Sequence, residues 1–351
     1  MVDLRQYQGC LVRKRFKEEN SKGRRDIEDE DGWLFETTNP FGIDSLKVEK
    51  SKAKRRLDTK TQVFSFPSNV HIRNRASHSR EVAVTSQVIA GFLGLNSVLC
   101  GTIAQAHDIG HVPFGHAGEA FIRQITGRPF SHAKYGAVVA QEIERRGKGM
   151  NLSFEVLAGV CCHSGDGLAE ASAEEYRLVY HNDKINYVSH DINDAIRVGY
   201  LEEKSLPDFA RRLGQTQRER EKNCFEALIK ESAEQGKVSF GYSLTARDFA
   251  RTRQWMFEKV YNRINERPVS FILGSIYDFF AREDYFSDCD PIVLISLLSD
   301  EDCYNFARNL LTSISIKGIN TLGFMEIVPF LRGKKINWEE PDFFWATKKS
   351  V

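Results

Sequence analysis

The 351-residue sequence lacks the features that mark several large classes of protein. Its seven cysteines are odd in number and scattered, with no C-x-x-C pair, which argues against a disulfide framework and against a thiolate zinc site. No window approaches the roughly 18 consecutive apolar residues of a membrane-spanning helix, and the N-terminus lacks the apolar run of a signal peptide. We therefore expect a soluble protein of a reducing compartment, the cytoplasm.

The sequence also lacks a strong net charge and the glycine-rich motifs that cradle phosphates. The net charge is +1, so the electrostatics of the whole molecule identify no partner. Neither a P-loop nor a G-x-G-x-x-G motif occurs. Between residues 47 and 60, seven lysines and arginines outnumber two acids, a pattern that fits either an anion site or an ordinary solvated face.

Apolar residues recur at helical spacing along most of the chain after residue 77. Val84, Val88 and Phe92 follow one another at intervals of four, and Gly94 is a plausible stop. Similar patterns predict further helices at 97–108, 117–125, 132–146, 152–163, 174–200, 207–234, 248–264, 267–282, 290–298 and 301–312. The segment KVSFGYS (237–243) is the best strand candidate. The sequence therefore predicts an all-α, mostly helical protein with at most a small β-hairpin.

The segment AHDIGHVPFGHAGE (106–119) concentrates side chains that bind metals and carry protons. Five of the nine histidines fall in one third of the chain, at His78, His107, His111, His116 and His132. Imidazole and carboxylate together are the usual ligands of Zn, Fe, Mn or Ni in hydrolytic sites. His107 and Asp108 are adjacent at a predicted helix end, so both reach one ion only if it lies beyond or beside that end. Two further ligands must come from elsewhere.

Other helices offer candidates for these further ligands. His78 lies at the start of the preceding helix. Asp183, Tyr187 and Asp191 fall at i, i+4 and i+8 and share one helix face, with Lys184 beside the first of them. Burying such a face is costly unless its charges have a function, and the alternative is an exposed, solvated face. The pattern leaves the choice between Asp183 and Asp191 open.

His116 and Glu119 form a candidate acid–imidazole pair. They are three residues apart, one helical turn, so the carboxylate can orient the imidazole and raise its basicity. Such an imidazole can act as a general base on water or as a general acid on a leaving oxygen. The alternative is that His116 caps the loop and Glu119 is a solvated helix residue.

Five blocks of the sequence together resemble a known family. The order His78, His107-Asp108, Asp183 is the H…HD…D signature of the HD-domain metal-dependent phosphohydrolases. The blocks are RRLDTKTQVF (55–64), RNRASHSREV (73–82), AHDIGHVPFGHAGE (106–119), VLAGVCCHSG (156–165) and DKINYVSHDINDAI (183–196). They stand in the order of the dNTP triphosphohydrolase branch, the deoxyguanosine triphosphate triphosphohydrolase-like family. The chain resembles that family over roughly 45–200 and more weakly to about 310.

The resemblance implies a divalent metal ion held by four side chains, His78, His107, Asp108 and Asp183. Asp183 is preferred to Asp191 because the family's ligand lies four residues before the motif tyrosine, here Tyr187. The identity of the metal stays open among Mn, Mg, Zn, Fe, Co and Ni. Ligation by two histidines and two aspartates argues against a site exclusive to calcium or magnesium.

The resemblance also implies which residues bind the substrate. Gln62 would contact the deoxyribose, and Arg75 and Lys184 would bind phosphate oxygens. Tyr187 and Asp191 would face the substrate.

The resemblance further implies four catalytic positions, His116, Glu119, His111 and His132. The implied reaction is hydrolysis of a deoxynucleoside triphosphate, dGTP or another dNTP, at the α-phosphate, which releases a deoxynucleoside and intact triphosphate. One alternative is another HD phosphohydrolase that acts on nucleoside monophosphates or signalling nucleotides. The other is a nucleotide-sensing or single-stranded-DNA-binding protein with vestigial catalysis.

The composition of the N-terminal residues and the extent of the resemblance together predict three parts of the chain. They are an N-terminal arm (1–44), an HD-domain catalytic core (45–205) and a C-terminal helical region (206–351) that packs on the core and serves assembly. The resemblance implies a homo-oligomer, with a hexamer, an allosteric dNTP and single-stranded DNA as open options, and no membrane partner. The family's Met-Thr-Asp-Arg-Tyr block is replaced by LSDEDCYNFA (298–307), where Asp302 and Tyr304 are the candidate counterparts of its aspartate and tyrosine.

Overall fold

The computed structural model describes residues 3–26, 31–35, 39–64, 69–263, 267–311 and 325–347, and this part of the chain is all-α. The helices are α1 (Gly32–Phe35), α2 (Pro40–Glu49), α3 (Lys52–Arg56), α4 (Arg75–Leu93), α5 (Ser97–Ala106), α6 (Gly115–Thr126), α7 (His132–Val138), α8 (Glu144–Gly147), α9 (Phe154–Cys162), α10 (Glu174–Arg197), α11 (Asp208–Leu213), α12 (Gln217–Gln235), α13 (Leu244–Lys259), α14 (Arg267–Arg282), α15 (Pro291–Ser296), α16 (Asp300–Leu311), α17 (Val328–Leu331) and α18 (Phe344–Thr347). The prediction of a mostly helical fold is confirmed.

Short turns of 3-10 helix connect several of these elements, and no strand occurs in the described ranges. The turns are Leu4–Tyr7, Val12–Lys14, Glu18–Asn20, Leu57–Thr59, Glu203–Ser205, Tyr261–Arg263 and Asp284–Phe286. One isolated antiparallel bridge pairs Thr61 with Asn74.

The predicted strand at 237–243 is wrong. Side chains, rather than a neighbouring strand, satisfy its backbone N–H groups. The carboxylate of Glu231 accepts the N–H groups of Gly241, Tyr242 and Ser243 at 2.7–2.9 Å. This alternating apolar segment is therefore a loop that a side chain of α12 holds by its backbone N–H groups and that leads into α13.

Helix α5 lies at the centre of the core and packs against α2, α4, α9 and α10. It is apolar on almost every side, and Leu99, Ile103 and Ala104 are fully buried. Asn96 begins it, with its side-chain oxygen accepting the N–H of Leu99 at 3.1 Å. His107 and Asp108 follow directly after the C-terminal end of this buried helix, so the helix fixes the position of both residues.

Two predicted helices are interrupted. The segment 132–146 divides after Val138 into a π-helical turn, and Arg145 and Arg146 then have left-handed backbone angles. The buried carboxylate of Glu144, between these two features, accepts backbone N–H groups of α3. The segment 207–234 divides at Gly214, after which Thr216 begins α12 with a capping box.

The described part of the N-terminal segment docks onto the core. Glu155 accepts the hydroxyl of Ser21 at 2.6 Å and the N–H of Lys22 at 2.8 Å, and Glu175 accepts the N–H of Phe16 at 2.9 Å. The predicted boundary between residues 44 and 45 falls inside α2. The division into three parts stays a prediction. Among the described helices, none has the length and apolar character needed to cross a bilayer.

Candidate active site

A cavity of about 390 Å³ opens where α4, α6, α7, α10 and α13 converge with the segment after α5. Eleven of the thirteen predicted site residues line it, namely Gln62, Arg75, His78, Asp108, His111, His116, His132, Asp183, Lys184, Tyr187 and Asp191. The other two, His107 and Glu119, lie directly behind this lining, because their side chains contact Asp108 and His132. The structure thus brings all thirteen residues together.

The backbone between α5 and α6 must pass very close to α7. A Cβ atom at Gly110 would lie 2.1 Å from the carbonyl oxygen of His132 and 2.2 Å from the amide nitrogen of Gly136, so only glycine fits there. This close approach brings His111 against His132, and their rings stack with centroids 3.7 Å apart. The glycine therefore explains part of the unusual composition of 106–119.

Four side chains, which we call the His/Asp cluster, converge at the buried side of the cavity: His78, His107, Asp108 and Asp183. Ligand-type atoms of His78, His107 and Asp108 lie within 4.8 Å of one another. Asp183 Oδ1 lies 3.0 Å from His78 Nε2 and 3.7 Å from His107 Nε2. The four residues come from α4, the end of α5 and α10, so the cluster ties together three helices of the core.

The hydrogen bonds of the imidazoles show that the His/Asp cluster fits a divalent cation. The Nδ1–H of His107 donates to the carbonyl of Ala104 at 2.7 Å, which leaves a lone pair on Nε2. That buried Nε2 has no hydrogen-bond partner in the described ranges and lies 3.3 Å from Asp108 Oδ1. A lone pair facing carboxylate oxygens is unfavourable by itself, and a cation between them would remove the conflict.

Both carboxyl groups of the His/Asp cluster are held in the ionised form. Burial raises the pKa of Asp183, but the neighbouring imidazoles of His78 and His107 and the ammonium group of Lys184 outweigh it, so its pKa lies below the usual value. For Asp108, burial is outweighed by His107, Arg75 and His111, and the pKa falls well below its usual value. Two ionised carboxylates are the state that a metal ligand set requires.

A second group, which we call the Glu119 cluster, surrounds one buried carboxylate with three imidazoles: His111, His116 and His132. Glu119 Oε1 lies 2.6 Å from His132 Nδ1, 3.4 Å from His111 Nδ1 and 3.5 Å from His116 Nδ1. Burial raises the pKa of Glu119, but His132 and His116 outweigh it and hold the pKa well below the usual value. The geometry makes His132 the hydrogen-bonded partner of Glu119, whereas His116 is a more distant neighbour.

The two candidate partners of Glu119, His116 and His132, also differ in the exposure of their side chains. His116 has a side chain that is 73% exposed, whereas that of His132 is 11% exposed. His132 Nε2 also contacts His163 Nε2 at 3.0 Å, and the Nδ1–H of His163 donates to the carbonyl of Val160 at 2.6 Å. The assignment of the four catalytic positions stays a prediction, and His132 now stands nearest to the acid.

Cations and hydroxyl groups line the rest of the cavity. Arg75 donates to Asp108 Oδ2 at 3.1 Å, and the buried Nζ of Lys184 donates to the carbonyl of His163 at 3.3 Å. Burial lowers the pKa of Lys184 to about 8, although Asp183 raises it in part. The side-chain oxygen of Gln62 is buried without a hydrogen-bond partner in the described ranges, so it has an acceptor left for a ligand.

The face of α10 that carries Tyr187 and Asp191 meets the C-terminal region. Arg253 Nε donates to the hydroxyl of Tyr187 at 2.5 Å, and the hydroxyl of Tyr261 donates to Asp191 Oδ2 at 2.8 Å. Burial raises the pKa of both tyrosines far enough that their hydroxyl groups stay protonated. The substrate-binding roles predicted for Tyr187 and Asp191 stay predictions, and both side chains face the cavity.

Sequence reasoning did not select several residues that line the cavity: His163, Arg123, Arg253 and Tyr261. Arg253 and Tyr261 are eight residues apart, so the i, i+8 spacing was an available signal. Arg123 donates to Glu119 Oε2 at 3.3 Å and follows it by four residues, which was also readable. His163 carried no spacing signal beyond its place in the VLAGVCCHSG block.

Known proteins resemble this chain over most of its length. The profile of the HD domain matches residues 75–196. A deoxyguanosinetriphosphate triphosphohydrolase-like protein of Clostridium tetani is 32% identical over 313 residues, which cover 85% of this chain and 87% of the relative. A relative of the same description from Caldanaerobacter subterraneus is 37% identical over 274 residues, 76% of this chain and 79% of the relative.

Proposed function

The chain belongs to the family of deoxyguanosinetriphosphate triphosphohydrolase-like proteins, and on that premise we propose that it hydrolyses deoxynucleoside triphosphates at the α-phosphate. The products would be a deoxynucleoside and intact triphosphate. The HD domain and the relatives support a metal-dependent phosphohydrolase. The observation that best supports the dNTP substrate is one cavity that holds the His/Asp cluster, the Glu119 cluster and four lysine or arginine side chains.

The His/Asp cluster would hold the divalent ion through His78, His107, Asp108 and Asp183. When bound, such an ion supplies a positive charge that polarises a phosphoryl oxygen and favours attack by water. Arg75 keeps Asp108 ionised and oriented from the other side, with Nη1 at 3.1 Å from Oδ2. The proposed ligand set therefore has one carboxylate that is already fixed by an arginine.

Cationic side chains of this chain would bind the triphosphate. Arg75, Lys184 and Arg253 line the same cavity and come from α4, α10 and α13. Arginine and lysine make charge-assisted hydrogen bonds to phosphate oxygens, and each such contact contributes on the order of 1.5–3 kcal/mol. Three cations on different helices match a polyphosphate better than a single orthophosphate group.

The Glu119 cluster would carry out the proton transfer that hydrolysis requires. The carboxylate of Glu119 is ionised and accepts the Nδ1–H of His132 at 2.6 Å, which fixes the orientation of the ring. An imidazole held in this way accepts a proton from water or delivers one to the leaving oxygen. His116 lies at the exposed edge of the same cluster and can exchange protons with solvent.

The proposal is tested by product analysis. The purified protein is incubated with each dNTP and with Mn²⁺ or Mg²⁺, and the products are resolved by ion-exchange chromatography. We expect triphosphate and deoxynucleoside in equal amounts from at least one dNTP. Release of orthophosphate or pyrophosphate, or turnover of monophosphates only, would point to another HD phosphohydrolase. Retention of single-stranded DNA without any turnover would favour a binding protein.

Two histidine variants make the product analysis specific. His107→Ala removes the imidazole whose Nε2 has no hydrogen-bond partner in the described ranges, and it should abolish release of triphosphate. His71→Ala removes an exposed imidazole outside the cavity and should leave the rate unchanged. Triphosphate release by the His107 variant at the rate of the unmodified protein would exclude the proposed metal site.

A further inference from the structure

Asp300, the first residue of α16, forms hydrogen bonds to two segments that form walls of the cavity. We call them the Gln62 wall, which begins at Thr61, and the Glu119 wall, which begins at Phe114. Asp300 is 2% exposed, and each of its carboxylate oxygens accepts one backbone N–H. Oδ2 accepts the N–H of Thr61 at 3.0 Å, and Oδ1 accepts the N–H of Phe114 at 2.8 Å. Asp300 lies 239 and 186 residues from these partners along the chain, so the two bonds join three distant segments.

The two segments that Asp300 holds carry predicted site residues. Thr61 immediately precedes Gln62, and Phe114 immediately precedes α6, which carries His116 and Glu119. Phe114 has a left-handed backbone with φ of 61°, which is unfavourable for a residue with a Cβ atom. A phenylalanine side chain cannot cap a helix, so Asp300 supplies from a distance an acceptor that stabilises the start of α6.

The fit between these two walls is tight. Arg75 lies between them, with Nη2 donating to the carbonyl of Gln62 at 3.4 Å. A Cβ atom added at Gly115 would lie 2.6 Å from the same Nη2. A small displacement of the start of α6 would therefore also move Arg75, which contacts Asp108 of the His/Asp cluster.

Lys60 links the same three segments, but its side chain donates hydrogen bonds whereas that of Asp300 accepts them. Its ammonium group is fully buried and donates to the carbonyl oxygens of His111 and Ser296, the latter at 3.0 Å. Its own carbonyl accepts the N–H of Arg75 at 3.1 Å. The C-terminal helices α15 and α16 thus supply a carbonyl and a carboxylate to the two walls, and both groups lie outside the matched HD domain.

We propose that Asp300 is a positioning residue that sets the distance between the Gln62 wall and the Glu119 wall of the cavity. It does not line the cavity, and it acts through Thr61 and Phe114. The effect on turnover rests on the proposed function, whereas the effect on the two amide groups does not. The C-terminal region therefore contributes to the site through buried hydrogen bonds as well as through Arg253 and Tyr261.

The test compares Asp300→Ala and Asp300→Asn with Asp302→Ala as the matched control. Asp302 stands in the first turn of the same helix, where its carboxylate accepts the N–H and hydroxyl of Ser299 at 2.9 and 2.8 Å. Removing Asp302 weakens the helix start without touching either wall. Asparagine at 300 keeps one acceptor oxygen and so should give an intermediate result.

Hydrogen–deuterium exchange of the full-length protein is the primary measurement. We expect Asp300→Ala to speed exchange in peptides covering 61–64 and 112–117 by about tenfold or more, with Asp300→Asn between it and the unmodified protein. Asp302→Ala should leave both peptides unchanged. Unchanged exchange in Asp300→Asn and Asp300→Ala, or equal acceleration in Asp302→Ala, would overturn the proposal even if no dNTP is hydrolysed.

Steady-state kinetics then separates positioning from simple loss of folded protein. Displacement of the Gln62 wall should raise KM and lower kcat/KM by roughly 10- to 100-fold in Asp300→Ala, because two hydrogen bonds to a buried charge are lost. A smaller amount of folded enzyme would lower kcat and leave KM unchanged. A KM equal to that of Asp302→Ala would contradict the proposed role.

Discussion

The two clusters of the cavity contain the same kinds of side chain but differ in what their hydrogen bonds leave free. In the His/Asp cluster, His107 donates Nδ1–H to a backbone carbonyl and leaves a lone pair facing carboxylates. In the Glu119 cluster, His132 Nδ1 makes a 2.6 Å hydrogen bond to the carboxylate, and the Nδ1 atoms of the two other imidazoles lie 3.4 and 3.5 Å from it. The first arrangement is short of positive charge and fits a cation, whereas the second is arranged to hold protons. Imidazoles and carboxylates therefore differ in the groups they leave free, depending on the backbone around them.

One contact links the two clusters. Asp108 Oδ1 lies 3.1 Å from His111 Nε2, so a carboxylate of the first cluster meets an imidazole of the second. Burial, together with the charges of Arg75 and His132, lowers the pKa of His111 well below its usual value. A neutral His111 separates the ionised Asp108 from the ionised Glu119 without adding a further charge. The comparison can be tested by changing one cluster and measuring a property of the other.

The largest effect is expected for Asp183→Asn, which removes a charge from the His/Asp cluster and keeps the shape. Turnover and Mn²⁺ affinity should both fall by more than about 100-fold, beyond the 10- to 100-fold losses typical of residues that only support a ligand. Mn²⁺ binding is measured by calorimetry on metal-stripped protein. Asp191→Asn serves as the matched comparison on the same helix face. If that variant lost the metal and Asp183→Asn retained it, the ligand would be Asp191.

The next effect is expected for Glu119→Gln, which changes the proton-holding cluster alone. The neutral amide replaces the ionised acceptor that holds His132 for proton transfer, so kcat should fall by about 10²- to 10⁴-fold while Mn²⁺ affinity stays unchanged. Glu234→Gln, on the exposed face of α12, is the control and should behave like the unmodified protein. Loss of Mn²⁺ affinity in Glu119→Gln would show that the two clusters act as one site.

Much of the His/Asp cluster could be predicted from sequence because its members stand in local motifs. His107 and Asp108 follow a buried apolar helix. The i, i+4, i+8 pattern left the choice between Asp183 and Asp191 open, and the family resemblance selected Asp183. The partner of Glu119 was less predictable. His116 is close to it in sequence, but the loop between α6 and α7 and the close approach at Gly110 bring His132 nearer.

The C-terminal region could be predicted as helices but not as a contributor to the site. Helical spacing shows which residues share a face, yet it does not say which other helix that face meets. Arg253 and Tyr261 were therefore assigned to packing, and Asp302 rather than Asp300 was taken as the aspartate of interest. In the structure Asp302 caps its own helix, while Asp300 contacts both walls of the cavity.

Several predictions made from the sequence stay predictions. The oligomeric state, the allosteric nucleotide, single-stranded DNA as a partner and the cytoplasmic location are among them. The identity of the metal also stays open. The structure offers His and Asp groups that could hold a divalent ion, and the HD-domain match supports metal binding.

A smaller effect is expected for His190→Ala. This change leaves the residues of both clusters in place but removes a side chain that contacts His78 of the His/Asp cluster. His190 Nε2 lies 3.1 Å from His78 Nδ1 and so fixes the His78 ring with its other nitrogen, Nε2, directed at Asp183 in the His/Asp cluster. Mn²⁺ affinity should fall by about 10- to 100-fold, and saturating Mn²⁺ should restore most of the turnover. His181→Ala, on the same helix but packed against Phe240, is the control. Unchanged Mn²⁺ affinity would show that His190 has only a packing role.

The smallest effect concerns stability and a buried cation that belongs to neither cluster. Burial lowers the pKa of Lys60 from 10.5 to about 7, so between these pH values the unfolded chain binds one more proton at this position than the folded chain. The cost of burying the charge is fully present below about pH 7 and disappears as the pH rises towards 10.5. The free energy of unfolding of the unmodified protein, minus that of Lys60→Met, should therefore rise with pH.

Urea unfolding of the two proteins at several pH values measures this difference. Its slope should reach at most about 1.4 kcal/mol per pH unit, the free energy equivalent of one proton. The same subtraction with Lys222→Met, whose side chain is 55% exposed, should give a flat line because that ammonium group lies in solvent in both states. A flat line for Lys60→Met as well would mean that Lys60 stays charged in the folded protein. Its bonds to the carbonyls of His111 and Ser296 would then fully offset the loss of water, and the segments behind the cavity would be joined by an ion rather than by a neutral amine.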